Sequence, residues 1–349
     1  RTSETELTQR EMDLAASVQK VTEDVIIKLA RGIAKETGES NLCLAGGVAL
    51  NCVTNGILLR EKIFNNIWIQ PAAGDAGGAL GAALSTWYIH QGNERTVSKE
   101  RDAMKGSYLG PEFSNTEIEA ELNACGAVYE KRSENEIIDE VAETLSNEKA
   151  VGWMQGRMEF GPRALGGRSI IADPRSPKMQ KQLNIKVKYR ESFRPFAPSI
   201  LREDVSEWFE HDTDSPYMLL VANVNKDKRL PMTEKEEALF GIDKLNVPRS
   251  SVPAITHIDN SARIQTVHKD TNPRYHAVIS KFKEKTGCPI VVNTSFNVRG
   301  EPIICSPTDA FKCFMGTDLD ILVIENYILF KDKQKKTSIK NYKDQFELD

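Results

Sequence analysis

From residue 11 to 37 apolar side chains recur every three or four positions, at Leu14, Val18, Val21, Val25, Leu29 and Ile33, and Gly38 follows as a stop signal. That period predicts one long amphipathic helix, after ten polar, flexible residues. The pattern then shortens: an apolar run at 42–45, Gly46-Gly47, helical spacing over 48–61, a second run at 66–70, a glycine-rich turn at 71–78 and an Ala-rich helix over 79–88. Strand, glycine turn and helix, twice over, predict an α/β layer with a mainly parallel sheet. Residues 91–106 are polar and aperiodic, which marks a domain boundary. Beyond it, spacing predicts helices at 115–125 and 135–148, the latter with Ile137, Ile138, Val141 and Leu145 on one face, and a strand at 150–155. The charged, Pro-bearing stretch 225–252 reads as an insertion loop or a short helical excursion. Residues 261–267 alternate like a strand, and 289–293 read as a buried one. Ser306 as N-cap, Pro307 at the first helical position and Asp309 near the positive dipole end predict a helix start. Short strands at 320–325 and 327–330 close the unit, before a Lys-rich tail expected to fray.

Length and composition narrow the reading. At 349 residues, 40% hydrophobic and 28% charged, the chain has room for two domains with real cores. The formal net charge is only −4, which excludes the global basic excess of a nucleic-acid coat. The charge is unevenly placed, however: residues 151–202 hold eleven lysines and arginines against Glu159, Asp173 and Glu191. Six cysteines without a C-x-x-C pair indicate reduced thiols in a cytoplasmic protein. No stretch is long and apolar enough for a membrane span. A first residue Arg1 rather than Met suggests a fragment of a longer chain.

The residues with chemistry fall in four groups. Gly46 and Gly47 lie between a strand and a helix, where backbone N–H groups can approach a phosphate closely, or simply make a tight turn. Asp75, in Gly74-Asp75-Ala76-Gly77-Gly78, is either a helix cap or a carboxylate for a metal or nucleotide hydroxyl. The most informative segment is 156–169, Gly-Arg-Met-Glu-Phe-Gly-Pro-Arg-Ala-Leu-Gly-Gly-Arg-Ser, read as a Gly/Pro-rich turn that holds Arg157, Arg163 and Arg168. Guanidinium forks bind phosphate or carboxylate oxygens in pairs. Residues 186–198 repeat the mixture of cations, aromatics and prolines with Lys188, Arg190 and Arg194. Last, 291–302 presents Asn293 and Ser295 at a strand end or forms a plain polar turn, and Arg263, in the strand-like run 261–267, would point one more cation inward. No P-loop, H-E-x-x-H or Cys/His zinc spacing occurs, and the five histidines are scattered.

Together the Gly-Gly-Val-Ala-Leu-Asn turn, Gly-Asp-Ala-Gly-Gly-Ala-Leu-Gly, Gly-Arg-Met-Glu-Phe-Gly-Pro-Arg-Ala-Leu-Gly, Arg-Glu-Ser-Phe-Arg-Pro-Phe-Ala-Pro and Asn-Thr-Ser-Phe-Asn resemble the O-carbamoyltransferases of antibiotic and nodulation-factor biosynthesis. The resemblance spans about residues 42–330. It implies an α/β protein in which 1–95 are the second half of an actin-like ATPase-fold, threonylcarbamoyltransferase-like module, 96–106 a linker, 107–330 a YrdC-like α/β domain and 331–349 a tail. It further implies an ATP-dependent enzyme that forms carbamoyl adenylate from carbamoyl phosphate and ATP, with pyrophosphate released and Mg2+ expected, and passes the carbamoyl group to a small-molecule hydroxyl. Arg163, Lys188 and Arg194 would be catalytic, and Arg157, Arg168, Arg263, Asn293 and Ser295 would contact the substrate. Gly46, Gly47 and Asn51 would bind the nucleotide, and Asp75 would be a ligand of divalent iron. The family's His-x-x-x-His metal pair is missing, so the chain is expected not to complete transfer. No nucleic-acid or membrane partner is expected, and a homodimer stays open. A hydrogenase-maturation-type carbamoyltransferase and a non-catalytic nucleotide- or RNA-binding YrdC-like module are the alternatives.

Overall fold

The computed structural model describes residues 8–97, 102–239, 241–335 and 342–347. In chain order these form α1 (Gln9–Thr37), β1 (Asn41–Leu44), α2 (Cys52–Arg60), β2 (Asn66–Ile69), α3 (Asp75–Ser85), α4 (Asn115–Ala124), β3 (Glu130–Lys131), α5 (Glu134–Ser146), β4 (Val151–Met154), β5 (Arg168–Ala172) and α6 (Met179–Gln182). They continue with β6 (Ala197–Leu201), α7 (Val205–Trp208), β7 (Leu220–Asn223), α8 (Glu234–Glu237), α9 (Gly241–Leu245), β8 (Ser261–Val267), α10 (Pro273–Thr286), β9 (Ile290–Ser295), α11 (Pro307–Gly316), β10 (Ile321–Ile324) and β11 (Tyr327–Phe330). The protein is thus mixed α/β, as its patterning predicts.

β1 and β2 pair in parallel. The larger sheet has nine strands in the order β3-β11-β10-β4-β5-β9-β6-β8-β7. It is mixed: β10–β4 and β6–β8 are parallel, and the other pairs antiparallel. The main core sits on this sheet, where Val141, Leu145, Trp153, Phe282, Phe314 and Leu322 are sealed from solvent. Ser133 starts α5 by accepting the Glu136 N–H while the Glu136 carboxylate accepts the Ser133 N–H, so two otherwise orphaned donors are satisfied. The expected cap at Ser306, with Pro307 and Asp309, is present in the same form.

The N-terminal layer docks through α2 onto the edge strand β7. Asn55 Nδ2 donates to the Leu219 carbonyl at 3.1 Å and an Arg60 N–H donates to the Val221 carbonyl at 3.1 Å. Gly56 lies so close to Val221 that a Cβ would collide with its carbonyl. Edge carbonyls that would otherwise invite another strand are thereby covered.

Several boundaries differ from expectation. The helix expected over 48–61 opens as a tight turn, Gly47–Leu50, and restarts at Cys52 because Asn51 leaves helical geometry to cap it. The glycine loop around Asp75 is already helix, since its small residues cost the first turn little packing. The 156–169 turn ends at Gly167, and Arg168 begins β5. Of the expected linker, 98–101 lie outside the described residues, while Asp102 accepts the Met104 and Gly106 N–H groups. Of the flexible N-terminus, 1–7 lie outside them, and Gln9 is already helical. The described part of the tail is not frayed: the Tyr342 side chain is buried, because its ring packs on Gly316. Residues 336–341 and 348–349 of it lie outside the described residues. All six cysteines are free, and among the described residues no helix is long and apolar enough to cross a membrane.

Candidate anion-binding site

β6 lies between β9 and β8, with Ala197 opposite Asn293 and Ser199 opposite Gln265. Over this junction opens a cavity of about 280 Å³. Arg163 reaches it from the β4–β5 loop, Arg190 and Arg194 from the segment before β6, Arg263 from β8, and Asn293 and Ser295 from the end of β9. All six are singled out in the sequence, and they come together here from four segments spread over residues 163–295.

The loop that carries Arg163 is fixed from both sides. The buried carboxylate of Glu159 accepts the N–H groups of Leu165 at 2.6 Å, Gly167 at 2.8 Å and Arg168 at 3.3 Å. From the sheet, Asn293 Nδ2 donates to the Ala164 carbonyl at 3.1 Å, and Gln265 Nε2 to the Leu165 carbonyl at 2.8 Å. Ser199, Gln265 and Asn293 are also bonded to one another. Neither Glu159 nor Gln265 belongs to the residue sets that the sequence singles out, although a glutamate among three arginines is a visible signal.

The cavity's electrostatics are unbalanced. Arg163 Nε, Arg263 Nε and Asn293 Oδ1 are buried and unpartnered among the described residues. Burial lowers the Arg163 pKa. Burial and the neighbouring Arg163 push Arg263 down to about 10, against the opposing effect of the Cys52 thiol. Burial, with Arg194, likewise brings Arg190 to about 10. Arg190 is steered by Asn184 Oδ1 at 2.7 Å and stacks over Phe196, 5.0 Å from the ring centroid. Arg194, more exposed, pairs with Glu191 at 3.0 Å. Concentrating cations without matching carboxylates is costly unless an anion completes the site.

The other residues stand elsewhere. Lys188 is buried behind the cavity wall, its Nζ donating to the Ser295 carbonyl at 2.5 Å, Ser295 Oγ at 3.1 Å, the Asn297 carbonyl at 2.9 Å and Asn297 Oδ1 at 2.7 Å. Burial, with Arg190, pushes its pKa down to about 7, while the four oxygens favour the charged form. Arg168 is sealed in a cage of carbonyls from Pro111, Gln155, Gly156, Gly167 and Cys305. Arg157 is exposed and bonds the Gly110 carbonyl at 3.2 Å.

In the N-terminal layer, Gly46 has φ +94°, and the space beside Gly46 and Gly47 is open. Asn51 caps α2 by accepting the Thr54 N–H at 3.1 Å and donates to Gln19 at 2.8 Å. The next residue, Cys52, lies against Arg263, which brings the start of α2 beside the cavity. Asp75 is exposed at the start of α3. Among the described residues no group of three or more His, Cys, Asp or Glu side chains surrounds it or any other point. The residues present therefore do not fit a resident iron ion, which needs several such ligands.

Two family models match the chain: Carbamoyltransferase C-terminus over residues 142–331 and Carbamoyltransferase N-terminus over 2–84. An uncharacterised protein of Synechocystis is 60% identical over the whole chain, which covers 57% of that protein. Nodulation protein NolO of Bradyrhizobium diazoefficiens is 43% identical over 93% of the chain and 55% of its own length. Nodulation protein U of Rhizobium fredii is 34% identical over 80% of the chain and 41% of its own length. The chain spans about half the length of these curated relatives.

Proposed function

The chain belongs to the carbamoyltransferase family, and from that premise we propose that its arginine cavity takes carbamoyl phosphate, as part of an ATP-dependent O-carbamoyltransferase whose acceptor is a small-molecule hydroxyl. The carrying observation is the set of unpartnered Arg163 Nε, Arg263 Nε and Asn293 Oδ1 around one cavity. Carbamoyl phosphate offers phosphoryl oxygens for the guanidiniums and an NH2 group for the Asn293 oxygen, so one ligand complements both kinds of orphan.

With ATP the product is carbamoyl adenylate. Atom balance requires uptake of one water, loss of inorganic phosphate from carbamoyl phosphate and expulsion of pyrophosphate from ATP. Arg163, Arg190, Arg194 and Arg263 face the charge that develops on the transferring phosphoryl oxygens, and their rigid placement stabilises it without reorganisation. Lys188 holds Ser295 and Asn297 in place from behind. The cavity lining offers no carboxylate for Mg2+, so the nucleotide's own phosphates would have to hold that ion, which would neutralise their charge. Gly46, Gly47 and the capped start of α2 at Asn51 form the nucleotide end. Residues 1–95 would be the second half of an actin-like module, which the strand–turn–helix order repeated over 41–85 supports, and 107–330 the YrdC-like domain.

The test is ATP–pyrophosphate exchange with and without carbamoyl phosphate. Stimulated exchange is expected, falling about 100-fold in Arg163→Ala and Arg263→Ala. Unstimulated exchange, together with no calorimetric binding of carbamoyl phosphate, defeats the proposal.

A further inference from the structure

The C-terminal segment 342–347 returns to the nine-stranded unit and touches the support of the cavity at three points. Its Tyr342 hydroxyl donates to Glu301 Oε1. The other oxygen of Glu301 accepts the Val298 N–H at 2.7 Å, and its carbonyl accepts Asn297 Nδ2 at 2.6 Å. Asn297 Oδ1 in turn holds Lys188 Nζ at 2.7 Å and the Ser295 hydroxyl at 2.7 Å, and Ser295 lines the cavity. The second contact is the Tyr342 ring on Gly316, whose carbonyl accepts the Tyr189 hydroxyl at 2.7 Å. Tyr189 has φ +48° and stands between Lys188 and Arg190, so its anchor helps send Lys188 behind the wall and Arg190 into the cavity. Glu347 and Phe346 close over Gly300, leaving no room for a Cβ there. Apart from Ser295, the last residue of β9, the relay lies outside the strands of the main sheet, and it ends on residues that shape the anion site.

We propose that Tyr342 and Glu301 are positioning residues for the arginine cavity, coupled to its ligand through Asn297, Lys188 and Ser295. The inference rests on the carbamoyl phosphate reading and deepens it. By linkage, a ligand that favours the ordered wall favours the docked segment by the same factor, and removal of the dock weakens the ligand.

Inorganic phosphate is the probe. In the unaltered chain, phosphate should slow amide exchange at 293–301 and also at 342–347, a readout that needs no variant to fold. By calorimetry, Tyr342→Phe and Glu301→Ala should each weaken phosphate about five-fold. The double variant should be no weaker than either, because both break one relay. Glu301→Gln, which keeps an acceptor for Tyr342, should recover most of the loss. Protection confined to 293–301, or Tyr342→Phe binding within two-fold of the unaltered chain, overturns the inference while leaving the carbamoyl phosphate reading intact. An unaltered chain that binds neither phosphate nor carbamoyl phosphate removes that reading and the inference with it.

Discussion

Residues 9–90 and the nine-stranded unit use similar elements and bury them to opposite extents. In α1 only Ala30 is buried, while Leu14, Val18, Val21, Val25, Leu29 and Ile33 remain 45–67% exposed. The Ala-rich α3 buries no residue at all. Across the boundary, α5 and α10 present Ile137, Val141, Leu145, Tyr275, Ile279 and Phe282 to a core that excludes water completely. The same period therefore means different things: it identifies the face that wants cover, and only packing says whether cover is supplied. The cavity belongs to the buried unit, where rigid strands can hold cations near one another.

The largest expected effect breaks the comparison most directly. Phe282→Ala should cost about 3–5 kcal/mol, since it opens a cavity in a sealed core, whereas Leu29→Ala should stay within about 0.5 kcal/mol. Denaturant midpoints measure both. A Leu29 loss as large as that of Phe282 would mean the exposed stripe is covered in solution. Next, Glu159→Ala strands three loop N–H groups and should cost about 3 kcal/mol, with at least about a ten-fold loss of phosphate affinity as the Arg163 loop slackens. Its counterpart in the N-terminal layer, Asn51→Ala, loses a helix cap worth about 1 kcal/mol.

What was legible in the sequence follows the same division. Helices with strong periodicity or caps, such as α1, α5 and α11, match expectation to within about two residues, because their signals are local. Unexpected were β5, β6, β7 and α10; of the three strands at the cavity, β8 and β9 were legible and β6 was not. The start of β5 hides Arg168 behind a pair of glycines, and the partners of β5 in β9 lie 120 residues or more away. The arginines were recognisable as chemistry since guanidinium clusters among glycines are rarely needed for packing. That Lys188 and Arg168 would instead be enclosed by carbonyls was not visible, because only long-range pairing decides which oxygens surround a buried cation.

A smaller effect separates Lys188 from the arginines beside it. A lysine lowered by burial to about 7 carries its charge below that pH and loses it above, so an anion in the neighbouring cavity should bind more weakly as pH rises through 7. Sulfate, which does not titrate in this range, should lose about three-fold between pH 6 and 8.5 by calorimetry. Lys188→Met should flatten that slope, while the arginines, charged throughout, keep the remaining affinity. A slope that survives Lys188→Met assigns the titration to another group.

The smallest effect on stability falls at the glycine turn, and there it is the most discriminating. Gly46 holds φ +94°, so Gly46→Ala is strained and should cost about 1 kcal/mol. Gly47 has ordinary backbone angles and nothing within 4 Å of a built Cβ, so Gly47→Ala should leave the melting temperature unchanged to within about 1 °C. If a nucleotide packs on this turn as proposed, the added methyl occupies its place, and ATP should bind about ten-fold more weakly by calorimetry. Unchanged stability with weakened ATP shows that the open space beside Gly47 exists for a ligand, whereas unchanged stability with unchanged ATP affinity leaves both glycines as parts of the turn. The exposed layer would then differ from the buried unit in function as well as in packing.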